Sequence, residues 1–197
     1  MAVGLLARVA YAILNALPAR QKYTSRETRL LKWINHQIVT GFIVCTATDN
    51  ALFTASAIVG AVLPDRVEGS PPKESSAYWQ WRKKHRTWSH WPPIYIALIV
   101  AAQVAKDYYP EPTLAFALNL LTYALVGALL HIAEDGLCGK VPIFFPHKKY
   151  GLKLFKVGSW REYFFAALII AACLFARFGD ADSMENYFDL LRSRFNL

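Results

Sequence analysis

The stretch "HRTWSHW" puts His85 and His90, two of the five histidines in 197 residues, five positions apart. It stands directly before "PPIYIALIVAAQVA", a run apolar enough to enter a bilayer. His36 precedes a second apolar segment, and Asp65, in "VLPDRVE", follows it. His131 and Asp135, in "HIAED", close a third; four residues apart, they share one face if the helix continues. Neutral imidazole and carboxylate together are the ligand set of zinc, manganese or iron, not of a thiolate site or of calcium alone. The six groups His36, Asp65, His85, His90, His131 and Asp135 exceed one tetrahedral site. They suit one or two divalent transition-metal ions, zinc first, and two ions about 3.5–4 Å apart clamp the attacking and leaving oxygens of a phosphoester. Each group alone is ordinary: an HxxxD pair commonly lies on a helix surface, an Asp after Pro starts a turn, and a Trp-rich His segment anchors at an interface. Only elements that bring them together make a site.

Those elements read as membrane helices. The chain is 55% hydrophobic, with a mean hydropathy of +0.23, and its apolar residues come in blocks. The pattern predicts one all-α domain over 1–197, a polytopic membrane helical bundle. Residues 1–19 carry Arg8 inside an apolar stretch, which predicts an amphipathic interfacial helix and not a cleaved signal peptide. Residues 93–108, 113–133 and 162–178 are predicted transmembrane helices, and the tail is a short surface helix. Residues 37–63 have the length of a full span, but Asp49 and Asn50 interrupt it, and an acid at mid-bilayer costs several kcal/mol (~3) unless paired or hydrated. The other reading is a re-entrant half-membrane hairpin turning near residues 48–50. Cys45, Cys138 and Cys173 have no CxxC spacing, so neither a disulfide framework nor a thiolate zinc site is expected.

Charge decides between the two readings. The net charge is +8, and of twenty-two Lys and Arg, the stretches 18–36, 64–92 and 134–161 hold five, six and six. Positive residues collect on the cytoplasmic side. All three stretches lie there only if 37–63 enters and leaves by the same face, so the hairpin is expected. The basic residues fall between apolar blocks instead of forming one soluble face, which argues against nucleic-acid binding. On this topology the six candidate ligands meet at the cytoplasmic membrane surface. His147, in a basic loop, is expected to face lipid headgroups, and the role of Asp49 stays open.

The same segments resemble the YdjM-like family of membrane-bound proteins. The matching motifs are "NHQIVTG" with His36, "GAVLPD" with Asp65, "HRTWSH" with His85, Arg86, Ser89 and His90, and "HIAEDGLCGKVPIFFP" with His131, Asp135, Gly139 and Pro146. They cover residues 35–146 in the family's order. Val67 stands where the family pattern carries a second Asp, with Glu68 next to it; Trp91 replaces a Ser, and Gly136, Leu137 and Cys138 replace Thr residues. The resemblance implies a metal-dependent hydrolase, distantly similar to zinc-dependent phospholipase C and P1-type nuclease, in a prokaryotic inner (plasma) membrane.

The resulting expectation is hydrolysis of a lipid or lipid-linked phosphoester. Glu68 or Asp135 is the expected base, and Arg86, with Lys83 and Lys84 less directly, would hold phosphate. Expected partners are membrane lipids and either a second copy of the chain or a membrane complex. Two other readings are a scaffold pinned by a structural metal, and a transporter or channel component with Asp49 in its path.

Overall fold

The computed structural model describes residues 25–179 together with Asp189 and Ser193. The predicted interfacial helix over 1–19 and the predicted tail helix therefore fall outside the described residues, apart from those two positions.

The first helix, α1, runs Ser25–Thr48 and buries one stripe, with His36, Val39, Thr40 and Val44 on it. It stops because Asp49 takes a left-handed backbone (φ 48°), a conformation that Asp tolerates better than most residues. Asn50 then caps α2 (Ala51–Gly60), its side-chain oxygen accepting from the N–H groups of Leu52 and Phe53 at 3.0 and 3.1 Å. The chain reverses here. Gln37 Nε2 donates to the carbonyl of Ile58 at 3.4 Å, and Trp33 Nε1 donates to Asp65 Oδ2 at 2.9 Å, so the two helices run antiparallel. Arg177 Nη2 pairs with Asp49 Oδ2 at 2.6 Å, which gives the acid at the turn a partner.

The basic stretch between the hairpin and the next helix holds regular structure. It contains α3 (Leu63–Glu68), with Pro64 in its first turn, then α4 (Ser75–Lys84) and a 3₁₀ turn at Trp88–His90. Helix α5 (Pro92–Tyr108) follows, then α6 (Pro112–Cys138), capped by Glu111, whose carboxylate accepts from the N–H groups of Thr113 and Leu114. Two-residue strands β1 (Val141–Pro142) and β2 (Lys149–Tyr150) pair antiparallel, a small departure from an all-α chain. Pro142 and Pro146 lack the N–H groups that a longer ladder needs. Beyond the ribbon, the N–H groups of Leu152 and Leu154 donate to the carbonyls of Gly136 and Leu137, closing the end of α6. Helix α7 (Trp160–Phe178) ends the described fold.

Helix α6 is the axis of the molecule. Leu125, Ala128 and Ile132 join Tyr95 of α5 and Val141 of β1 in the core cluster. On its other side α6 meets α2 nearly backbone to backbone. A Cβ at Gly60 would lie 1.8 Å from the Ala124 carbonyl oxygen, and one at Gly127 would lie 2.0 Å from that of Ala57. Small residues three apart on both helices make this approach possible, as in membrane helix pairs.

Among the described residues, α6 alone is long and apolar enough to cross a membrane; its 27 residues extend about 40 Å at ~1.5 Å each. Helices α5 and α7 lie where the sequence predicts spans. With 17 residues α5 is short, and α7 carries Arg161, Glu162 and Arg177 in its end turns. Both expose apolar side chains, among them Ile96, Leu98 and Val100 on α5 and Phe164, Leu168 and Phe175 on α7.

Candidate metal centre

The stripe of α6 that carries Ala124 and Gly127 against α2 continues one and two turns later as His131 and Asp135, both buried. The close helix crossing thus carries these two side chains into the space at the base of the α1–α2 hairpin. Asp65 enters from the first turn of α3, held by Trp33. His90 enters from the 3₁₀ turn, which Tyr95 braces by donating its hydroxyl to the Ser89 carbonyl at 2.5 Å.

Asp65, His90, His131 and Asp135 each offer one ligand atom, all within 4.8 Å of one another. His90 Nε2 lies 3.3 Å from Asp135 Oδ2 and 3.5 Å from Asp65 Oδ1. His131 Nε2 lies 3.6 and 3.8 Å from the same two oxygens. These separations are long for hydrogen bonds, yet a tetrahedral ion with ligand bonds of about 2.0–2.2 Å has ligand–ligand edges of about 3.4 Å. His90 Nε2, His131 Nε2 and Asp135 Oδ2 are buried with no hydrogen-bond partner. Buried polar atoms ordinarily find one, so three orphans aimed at a common point fit a cation that the donor set would bind.

The surrounding residues orient the ligands. His90 Nδ1 meets Glu68 Oε1 at 3.0 Å, a contact that places the ring proton on Nδ1 and leaves Nε2 free for the centre. Glu68 also accepts from the backbone N–H of Arg86 at 2.6 Å, from the Ser89 hydroxyl and from His85 Nδ1. Arg86 Nη2 donates to Asp135 Oδ1 at 2.7 Å, which turns Oδ2 towards the two histidines. Arg86 has a left-handed backbone (φ 55°), and its guanidinium packs over Gly139, where a Cβ would lie 2.5 Å from Nη1 and the side chain would have to shift.

Burial by itself would lower the pKa of His90; the carboxylates of Asp135, Asp65 and Glu68 outweigh it and raise the value to about 10. Burial pushes Asp65 and Glu68 towards higher values, but the nearby His90 and His131 and the Trp33 indole hold Asp65, and His85, His90 and Ser89 hold Glu68, below the usual carboxylate range.

Of the six predicted ligands, the fold gathers these four and sets two beside them. His36 packs against His131 with ring centroids 4.2 Å apart and planes tilted by 48°, puts Nε2 at 3.8 Å from Asp135 Oδ1 and sets Nδ1 at 2.9 Å from Glu134 Oε2. His85 bonds Glu68 and stacks on Trp81 at 4.5 Å, outside the four-residue group. Glu68 and Arg86 are both occupied with ligand side chains. Glu134 is the residue that sequence reasoning passed over; it stands next to Asp135 in "HIAED", on the turn that faces α1. Asp49 is remote from the centre and pairs with Arg177.

The family model for the YdjM inner membrane protein matches residues 32–188. The chain belongs to that family. The match includes the four clustered side chains and the residues that hold them; the family is described as an inner membrane protein, α6 is long and apolar enough to cross a membrane, and the His/Asp group could hold a metal ion. No curated protein and no solved structure matches the chain.

Proposed function

We propose that the chain is a membrane-bound, metal-dependent hydrolase that cleaves a phosphoester of a lipid or lipid-linked substrate at the cytoplasmic face. The convergence of Asp65, His90, His131 and Asp135 within 4.8 Å, with three orphaned buried ligand atoms, carries this reading. A divalent transition-metal ion in such a site supplies Lewis acidity, making water nucleophilic near neutral pH and polarising a phosphoester. Asp65 is the one ligand of the four that is not fully buried, so substrate approaches past it. Arg86 retains a buried, unpartnered Nε beside the centre and can turn a donor towards phosphate while Nη2 holds Asp135. Glu68 already accepts four donors, so in this account it positions His85, Ser89 and His90, and Asp135 keeps the role closest to the reacting water.

The test is purified protein, reloaded with zinc or manganese, incubated with a panel of phospholipids and lipid phosphates while released phosphate or headgroup is measured. Turnover in wild type that disappears in His131→Ala supports the proposal. A metal-replete, well-folded wild type that cleaves none of them overturns it. A specific observation favours a second reading, a structural metal in a scaffold: three of the four ligands are fully buried, as in closed sites. That reading predicts lower thermal stability after chelation and no cleavage.

The re-entrant topology belongs to the same proposal. The antiparallel α1–α2 pair, the Asp49–Arg177 bond at its turn and the three basic stretches support it. With the native cysteines replaced, Thr28→Cys, Ser75→Cys and Lys153→Cys should all label from the cytoplasmic side, and Glu111→Cys from the other. Labelling of Thr28→Cys on the side opposite to Ser75→Cys would mean a full span.

A further inference from the structure

Two open cavities adjoin on the side of α6 away from α2. One, of about 730 Å³, is lined by Lys83, Lys84, Thr87, Trp88, Lys140, His147 and Lys149. The other, of about 710 Å³, runs between the last turns of α6 and the ribbon, lined chiefly by Leu129, Ile132, Ala133, Val141, Ile143 and Leu152. Lys140 and Lys149 line both, so the basic cleft opens directly into the apolar groove. Among the described residues, no acidic side chain lines either cavity. Lys149 is fixed in place, its Nζ donating to the His85 carbonyl at 2.5 Å.

The ribbon's tip extends the apolar surface. Ile143, Phe144 and Phe145 are 42, 70 and 57% exposed, and Lys148 lies over the Phe145 ring at 5.6 Å. A run of exposed aromatics beside lysines is the arrangement of a segment that dips into the headgroup region of an anionic leaflet.

We propose that this face binds an anionic phospholipid, with its phosphate among the lysines of the cleft and one acyl chain in the groove beside α6. Charge complementarity selects the occupant. Four lysines and a histidine without a lining acid favour an anion, and a soluble phosphate has no use for the apolar groove continuous with the cleft. Both volumes fall within the range of about 300–1,000 Å³ typical of small-molecule sites. The inference rests on the membrane placement proposed above but not on hydrolysis. The site is tied to the metal centre through His85, whose carbonyl takes Lys149 and whose ring is held by Glu68.

The test uses the full chain in detergent micelles doped with fluorescent phosphatidic acid or phosphatidylcholine, and inorganic phosphate as competitor. Lys84, Lys140 and Ala133 are all exposed, so variants there leave the core intact. Wild type should bind phosphatidic acid at least about tenfold more tightly than phosphatidylcholine. Lys84→Glu with Lys140→Glu should erase that preference. Ala133→Trp, which fills the groove, should weaken phosphatidic acid about tenfold with every lysine present, and millimolar phosphate should displace little of it. His131→Ala should bind phosphatidic acid like wild type, which separates this site from the metal centre. No preference in wild type, or full displacement by inorganic phosphate, or an Ala133→Trp variant that binds normally, each overturns the proposal.

Discussion

Gly60→Ala and Gly127→Ala are each expected to cost about 3 kcal/mol or more and to remove most of the extractable folded protein. Overpacking a core typically costs about 1–3 kcal/mol because side chains can shift. Here the obstacle is backbone: the added methyl would sit 1.8 Å from the Ala124 carbonyl oxygen or 2.0 Å from that of Ala57. The helices must separate by well over an ångström, and His131 and Asp135 ride on the same stripe of α6. Loss of the crossing therefore also spreads the metal ligands. Gly136→Ala is the control, since its methyl would make an ordinary 3.4 Å contact with Val141 and alanine is the better helix former by about 1 kcal/mol. Yield of monodisperse protein and its thermal midpoint check the three variants side by side; a Gly60→Ala protein as stable as Gly136→Ala would contradict the packing account.

Glu68→Gln is expected to weaken metal binding about 10- to 100-fold while the protein stays folded, the range found for residues that orient ligands without touching the metal. The carboxylate takes four donors at once: His85, the Arg86 backbone, Ser89 and His90. A carboxamide keeps the shape but loses the negative charge and turns one acceptor into a donor, which weakens the hold on the Nδ1 proton of His90. The histidine that matters is His90, whose Nε2 faces the centre only while Nδ1 donates to Glu68. Competition against a chromogenic zinc chelator measures the change. Unaltered affinity would mean that His90 is oriented by packing alone.

The long helices and their order were legible because apolar blocks separated by basic stretches carry their own signal, and Asp49-Asn50 announced the helix break; the short α3, α4 and the 3₁₀ turn, in a basic stretch without an apolar block, were not. The structure adds why the break holds: a left-handed Asp followed by an Asn that caps the next helix. The helix–helix spacing was not legible, since Gly60 and Gly127 lie 67 residues apart and nothing local says that their backbones meet. The same limit applies to the site. Residue type pointed to the four side chains that the fold gathers, but not to Glu134 beside His36 or to Trp33 on Asp65, and type cannot separate a ligand from the residue that holds it. His85 and His90 look equivalent in "HRTWSHW". The 3₁₀ turn buries His90 among the ligands and leaves His85 on Glu68 and Trp81. Arg86 looked like a phosphate binder, and nothing local in the sequence says that it pairs with Asp135, 49 residues further on.

The most direct test of the central claim is the metal content of detergent-purified protein, measured by elemental analysis for wild type beside His131→Ala and Asp135→Asn. Four converging ligands predict about one equivalent of zinc, manganese or iron in wild type. Both variants should lose it, while a third variant, His147→Ala, in the basic cleft and outside the four-residue group, should keep it. Well-folded wild type that holds no metal even after dialysis against zinc and manganese would contradict the account.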